Sequence, residues 1–511
     1  MKITSLGSWS PTPGHALRWS PTQRCSAIAA ATTEFDGPVG FLAENHIRGS
    51  HVARQAGHPH TAYLGSGIEL PGSPDTSALS RALESFVRRH PVLRLWFGIS
   101  DQQVTGHLVD GADIEFMVSD DGVLDTPEDI TDHLRNRFEL EASAESFPGF
   151  AFGAIVAENS FALFLGCDHA ISDGVSQALA LEEIVELYHR HRRDDGLDDQ
   201  GLDDHGLDDE GLNDEIDGNG GYLEYVALEA AITGAHLAGT PQSNAWQELF
   251  AGHDFQMPRF PLDLGLAPGE SAPVAPFAVS ILDSDELSAF ETACAAAGGK
   301  FIDGVYAAVA ITDHELGGAD DYFAMTVLNT RAVAPKFATA QGWFCSFAPV
   351  EFGVAGVTCF SDLIAPAQSG RRRAKELGSV PTAAALTALA AAGATPEAVV
   401  TVPNMLSYID FRWFPGQDRP EYRNAVMFTG EGRTANASMW INRDAEELYI
   451  GSQIPATPFA REQTQRYFRH LRGVFRDIAR NGDRPIPGRT YEESDFADAV
   501  LVSGDVVDRE D

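Results

Sequence analysis

Apolar positions along this chain change period several times, and the changes mark its elements. Between residues 76 and 90, Leu79, Leu83, Phe86 and Val87 recur at helical spacing behind Asp75, Thr76 and Ser77, residues that cap helix N-termini. Pro91 ends that helix, and residues 92–97 read as a strand. Two apolar runs, 151–157 and 161–167, are parted by Glu158-Asn159-Ser160, which predicts two antiparallel strands joined by a tight turn. The second run leads directly to Asp168 and His169. After Gly174 the pattern turns helical again, with Leu181, Ile184, Val185 and Tyr188 on one face. Arg190, Arg192 and Arg193 complement the dipole at that helix's C-terminal end.

The second half repeats the mixture. Helices are expected around 285–297 and 301–310, strands over 322–328, 437–441 and 448–454, and a last helix carries Phe468, Leu471, Phe475 and Ile478 to about residue 480. This order lacks a regular β-α-β alternation, so the predicted class is α+β, two-layered, in two lobes. With 511 residues, 44% of them hydrophobic, the chain can bury two cores.

Between the halves lies a five-residue repeat, Gly196-Leu197-Asp198-Asp199 and its successors to Gly211-Leu212-Asn213-Asp214. One leucine per repeat cannot offset the entropy of ordering the chain, and the aspartates lack the spacing of a calcium loop. The expected organisation is an N-terminal lobe over 1–193, a disordered acidic linker over 194–221, a C-terminal lobe over 222–490, and an acidic tail over 491–511. Linker and tail carry half of the formal charge of −38.

That charge, without a basic stripe to relieve it, argues against a nucleic-acid partner. No run approaches the roughly 18 apolar residues of a membrane span, and the alanine-rich stretch 382–394 reads as a short buried helix. A soluble, cytoplasmic protein is expected. The five cysteines are scattered and without a Cys-x-x-Cys pair, so reduced thiols are expected, with neither a disulfide framework nor a metal site.

Phosphate-loop, dinucleotide, zinc-protease and nucleophile-elbow motifs are all missing. What remains is the polar cluster Asp168-His169-Ala170-Ile171-Ser172-Asp173-Gly174 at the end of an apolar strand. A neutral imidazole there can act as a general base near neutral pH. Asp173 could orient the ring, but a short loop more easily turns it away to pair with an arginine and hold the loop in shape. Gly174 suggests a positive φ or a close backbone approach. Residue chemistry alone leaves a structural histidine the commoner explanation. Cys167 reads as core rather than nucleophile, and a metal reading of His169 with Asp173 lacks a third ligand.

The stretch from Cys167 to Ser176 resembles the His-x-x-x-Asp-Gly signature of the condensation-domain superfamily, which includes chloramphenicol acetyltransferase and polyketide-associated acyltransferases. Arg89-His90-Pro91-Val92-Leu93-Arg94, Tyr222-Leu223-Glu224-Tyr225 and Gln341-Gly342-Trp343-Phe344-Cys345-Ser346-Phe347 resemble further family elements in the family's order. Trp9 to Gly14, Trp19 to Thr22, Glu44-Asn45-His46-Ile47-Arg48-Gly49 and Ser407-Tyr408-Ile409-Asp410-Phe411-Arg412 are similar to stretches of the actinobacterial polyketide-associated acyltransferases. The chain departs from peptide condensation domains at Asp168, where they carry the first histidine of a His-His pair, and at Cys345 and Ser346, where they carry Val-Asn.

The resemblance implies two chloramphenicol-acetyltransferase-like lobes with an active-site tunnel at their interface and His169 as general base. It implies Arg331 as the partner of Asp173, with Gly174 in the same loop, and Trp343, Ser346 and Asp410 along the tunnel. No tightly bound cofactor is implied. The donor would be acyl-coenzyme A, or a phosphopantetheine thioester on an acyl carrier protein. The acceptor would be a small alcohol, sugar (trehalose among them) or amine, with peripheral membrane contact for lipid substrates. The leading expectation is an O-acyltransferase of glycolipid or natural-product biosynthesis. Its alternatives are a free-standing amide-forming condensation enzyme and a non-catalytic binding module.

Overall fold

Strand Ser160–Asp168 is apolar at nearly every position because both its faces are covered, and it occupies the middle of a seven-stranded sheet. In the computed structural model, which describes residues 1–100, 103–194, 221–417 and 419–486, that sheet runs Lys2–Ile3, Val426–Thr429, Tyr63–Pro71, Ser160–Asp168, Phe150–Val156, Gly14–Pro21, Phe116–Leu124. The expected hairpin is present: Phe150 lies opposite Cys167 and Val156 opposite Phe161. On its other side the strand pairs Tyr63 with Asp168, so the motif begins where the ladder ends.

The chain forms two units, each with its own sheet and core. The first comprises Met1–Ala231, Thr330–Phe344 and Phe414–Gly430. The second comprises Ile232–Asn329, Cys345–Trp413 and the described part of Glu431–Asp511. Where the sequence assigns 222–490 to one lobe, three segments of that stretch fold with the first unit. Their reasons are physical: Val426–Thr429 adds a strand beside Tyr63–Pro71, and Thr330–Phe344 is fastened to the His169 loop as described below. Residues 195–220, which hold the repeat, and the acidic tail lie outside the described residues.

In the second unit the sheet order is Cys345–Gly353, Asp321–Asn329, Met405–Asp410, Met439–Arg443, Glu447–Pro455, Ala272–Asp283, Arg433–Thr434. Helices Ser284–Ala296, Phe301–Gly317 and Pro458–Asn481 contribute Phe290, Val305, Ile311, Phe468, Leu471 and Phe475 to its core. Both units mix largely antiparallel strands with helices, the α+β class.

Helix Thr76–Arg89 is capped as its sequence suggests, Asp75 accepting from the backbone of Ser77 and Ala78. The strand expected from residue 92 starts later, at Leu95. Pro91, with its fixed φ, opens a 3-10 turn over Pro91–Arg94, in which Leu93 N donates to His90 O. Among the described residues no single helix is long and apolar enough to cross a membrane.

Candidate active site

The ladder delivers Asp168 and His169 at its end, and a single 3-10 turn, His169–Ile171, then reverses the chain into helix Gly174–Asp194. Asp168 caps this turn, its Oδ1 accepting from Ala170 N at 2.8 Å, while His169 N donates to Ala62 O on the neighbouring segment. A second buried chain of bonds steadies the turn: Ser66 Oγ donates to Gln177 Oε1, and Gln177 Nε2 donates to Ser172 Oγ.

The His169 ring is fixed on several sides. Its Nδ1 stands 2.9 Å from the Ser172 carbonyl, which can only accept, so the Nδ1 proton is placed there and Nε2 carries the lone pair. The Trp343 ring stacks on the imidazole with centroids 4.0 Å apart and planes inclined by 29°. His46, from helix Phe41–Gln55, meets His169 edge-on at 5.7 Å and Trp343 at 5.6 Å. Burial first, and the charge of His46 second, lower the His169 pKa to about 4. An edge of the residue nevertheless remains accessible.

Asp173 turns away from this ring. Its two oxygens accept from Arg331, Nη1 at 2.9 Å and Nη2 at 3.1 Å, in the two-pronged geometry that guanidinium and carboxylate favour. Both residues are nearly inaccessible, at 2% and 3%. The backbone of Ser176 and of Phe344 donates to the same carboxylate at 2.7 and 2.9 Å. Arg331 also reaches Ala340 O and Ser176 Oγ, and its guanidinium lies 4.4 Å over the Phe344 ring. The structure thus brings His169, Asp173, Arg331 and Trp343 into one cluster, in which Asp173 bonds Arg331 and the backbone of Ser176 and Phe344 rather than the imidazole.

Gly342 lets the Trp343 segment approach. Its φ is +145°, and a Cβ there would stand 2.4 Å from the Tyr222 ring. Tyr222 and Tyr225 pack on Phe344 with ring centroids 5.2 and 4.7 Å away, which gives the Tyr-x-x-Tyr element its place under the loop. Gly342→Ala is expected to cost roughly 1–3 kcal/mol through overpacking against Tyr222 and an unfavourable φ. The midpoint of urea unfolding measures it, and an unchanged midpoint would contradict this packing.

Gly174 behaves differently from expectation. Its φ is not positive, and a Cβ would meet no protein atom within 4 Å. The residue simply begins the helix, with open space beside it. Ser346 and Asp410 lie in the second unit. Ser346 Oγ donates to Gly378 O, and Asp410 forms a two-pronged pair with Arg412 at 2.8 and 2.7 Å. Cys167 is buried, and burial pushes its thiol up to about 12, so it cannot supply a thiolate nucleophile.

Two residues carried no role in the sequence reading. His46 Nε2 stands 3.1 Å and His60 Nε2 3.2 Å from the oxygens of Asp168, which also accepts from Ala144 N. The segment containing His46 was recognisable, but nothing in its local pattern connects it with the loop.

A model of the condensation domain matches residues 49–205. The acyltransferase PapA3 of Mycobacterium tuberculosis is 25% identical over 498 residues, covering 95% of this chain and 98% of that one. PapA1 of the same organism, a 2'-acyl-2-O-sulfo-trehalose (hydroxy)phthioceranyltransferase, is 28% identical over 495 residues, covering 94% and 89%. The solved PapA2 acyl transferase is similar with a TM-score of 0.79 at 23% identity, covering 94% of this chain and all of that one. The first condensation domain of a calcium-dependent antibiotic synthetase follows with a TM-score of 0.61 at 17% identity, covering 87% and 97%. The fold is therefore the two-lobed, chloramphenicol-acetyltransferase-like one.

Proposed function

We infer that this chain, an acyltransferase of the condensation-domain superfamily, moves an acyl group from a thioester to a sugar hydroxyl with His169 as its general base. The observation that carries the reading is the bond from His169 Nδ1 to the Ser172 carbonyl, which leaves Nε2 free to take a proton. In the reaction the acceptor's O–H proton passes to Nε2 as its oxygen attacks the thioester carbon. The tetrahedral adduct then collapses, the C–S bond breaks, and the departing sulfur takes the proton back from the imidazolium.

The acceptor class follows the relatives. PapA1 and PapA2 are named for sulfated trehalose, and a trehalose-derived glycolipid is the acceptor proposed here. The donor is a fatty or polyketide acyl thioester of coenzyme A or of a carrier protein. Asp173 and Arg331 hold the loop that presents His169, and Trp343 walls the imidazole.

Incubation with acyl-coenzyme A and with acyl carrier protein, each against trehalose, trehalose 2-sulfate, simple alcohols and amines, tests the reading by mass spectrometry of the products. A sugar ester is expected. Products confined to amides would overturn the acceptor class, and turnover with only one donor identifies it.

The lowered His169 pKa has a sign that can be checked. The neutral ring is the active base, so kcat should persist below the ordinary histidine value of 6.5 and fall as pH drops through about 4. Stability moves the same way. Between those values the unfolded chain binds a proton that the folded ring refuses, so acidification costs stability. A kcat profile with its acid limb near 6.5 would contradict the assignment.

A further inference from the structure

Asp168 stands where peptide condensation domains carry the first histidine of a His-His pair, and the reaction scheme above gives it no task. It is 1% exposed, and its oxygens accept from the backbone of Ala170 and Ala144. Burial opposes its charge, yet contacts from His46 and His60 hold its carboxyl well below the usual range. His60 is sealed in, its Nε2 donating to the Ala142 carbonyl at 2.8 Å. His46 is partly exposed and faces the reacting side, with its Nε2 against Asp168 and its ring edge-on to both His169 and Trp343. An imidazole is thus returned to the neighbourhood of the base from another element, helix Phe41–Gln55, with the acid in the motif as its anchor.

We propose that His46, anchored by Asp168, is a positioning residue for His169: its ring bounds the imidazole that Trp343 covers on one face, so that Nε2 keeps one direction toward the acceptor. The Ser172 carbonyl alone leaves the ring able to rock about the Nδ1 bond; the two aromatic walls remove that freedom. Misdirection of a base by a fraction of an ångström is costly because proton transfer requires alignment as the new bond forms. The charged groups around the pair act in opposite senses. His46 disfavours a proton on His169, whereas Asp173 favours one. Asp168 faces His46 and His60, and further along the same helix His51 is occupied by Glu145, which also pairs with Arg54.

The inference rests on His169 being the base, and its test separates the two claims. His46→Gln keeps a polar side chain beside Asp168 but removes the ring; His46→Phe restores a ring without a titratable group. With palmitoyl-coenzyme A and trehalose as substrates, His46→Gln is expected to lower kcat roughly 10–100-fold with KM within about twofold. His46→Phe should recover a large part of that loss. Independently of turnover, histidine NMR of the unliganded protein, assigned with His169→Ala, should show the His169 titration moved to higher pH in both variants. Wild-type kcat and an unmoved titration in His46→Gln, or equal losses in the two variants, would overturn the positioning role while leaving the base in place. Turnover retained by His169→Ala would instead overturn the reading beneath it.

Discussion

Replacing His169 by alanine should lower turnover by roughly 10²–10⁴-fold, the usual loss when a positioned general base is removed, and leave the fold intact. The size of the effect follows from the lone pair. With Nδ1 tied to the Ser172 carbonyl, Nε2 is the atom of the ring able to accept the acceptor's proton. Without it the hydroxyl must attack while still protonated, and the departing sulfur loses its proton source. The fold should survive because, with the Nδ1 bond lost, the turn is still held by Asp168, Ala62, Ser66 and Gln177. The expected signature is a lower kcat at nearly constant KM, since ground-state binding does not use the proton transfer. Turnover within about threefold of the original, in a variant of unchanged melting temperature, would exclude His169 as the base.

The loop to which this chemistry is assigned was legible in the sequence because it is local. An apolar strand, a polar cluster and an amphipathic helix follow one another within thirty-five residues, and each announces itself by its own period. Helices Thr76–Arg89 and Pro458–Asn481 were legible for the same reason, their apolar residues repeating at helical spacing. The strand Val426–Thr429 was not. Four residues are too few to establish a period, and its place beside Tyr63–Pro71 is decided by packing against a distant segment. The same limit hid His46 and His60, whose shared contact with Asp168 is purely tertiary. Gly174 illustrates a different failure. Glycine suggested a positive φ or a close backbone approach, whereas its φ is not positive and a Cβ would meet no protein atom within 4 Å. Asp173 and Arg331 lie between these cases. Residue chemistry could say that a buried carboxylate needs a partner, and family resemblance named one, but only the fold of Thr330–Phe344 onto the first unit brings the guanidinium to it.

Asp173→Asn and Arg331→Ala should each destabilise the protein by roughly 3–5 kcal/mol, the range expected when one member of a buried ion pair is removed and the other is left uncompensated. Four donors converge on Asp173: two from Arg331 and the backbone N–H groups of Ser176 and Phe344. The amide of asparagine replaces one accepting oxygen by a donor, which would face an N–H or a guanidinium with nothing to accept it. Removing Arg331 instead leaves a carboxylate without its counter-charge among buried groups and deprives the Ala340 carbonyl of its donor. Because both changes break the same contact, their effects should not add. The double variant should be little worse than either single one, a coupling that denaturant unfolding of all four proteins measures directly. Turnover should fall in step with the loss of order in the loop, since Asp173 does not bond the imidazole. Full stability with turnover alone abolished in Asp173→Asn would mean that the carboxylate acts on the reaction itself. Additive destabilisation would mean that the two-pronged pair is not what holds the loop.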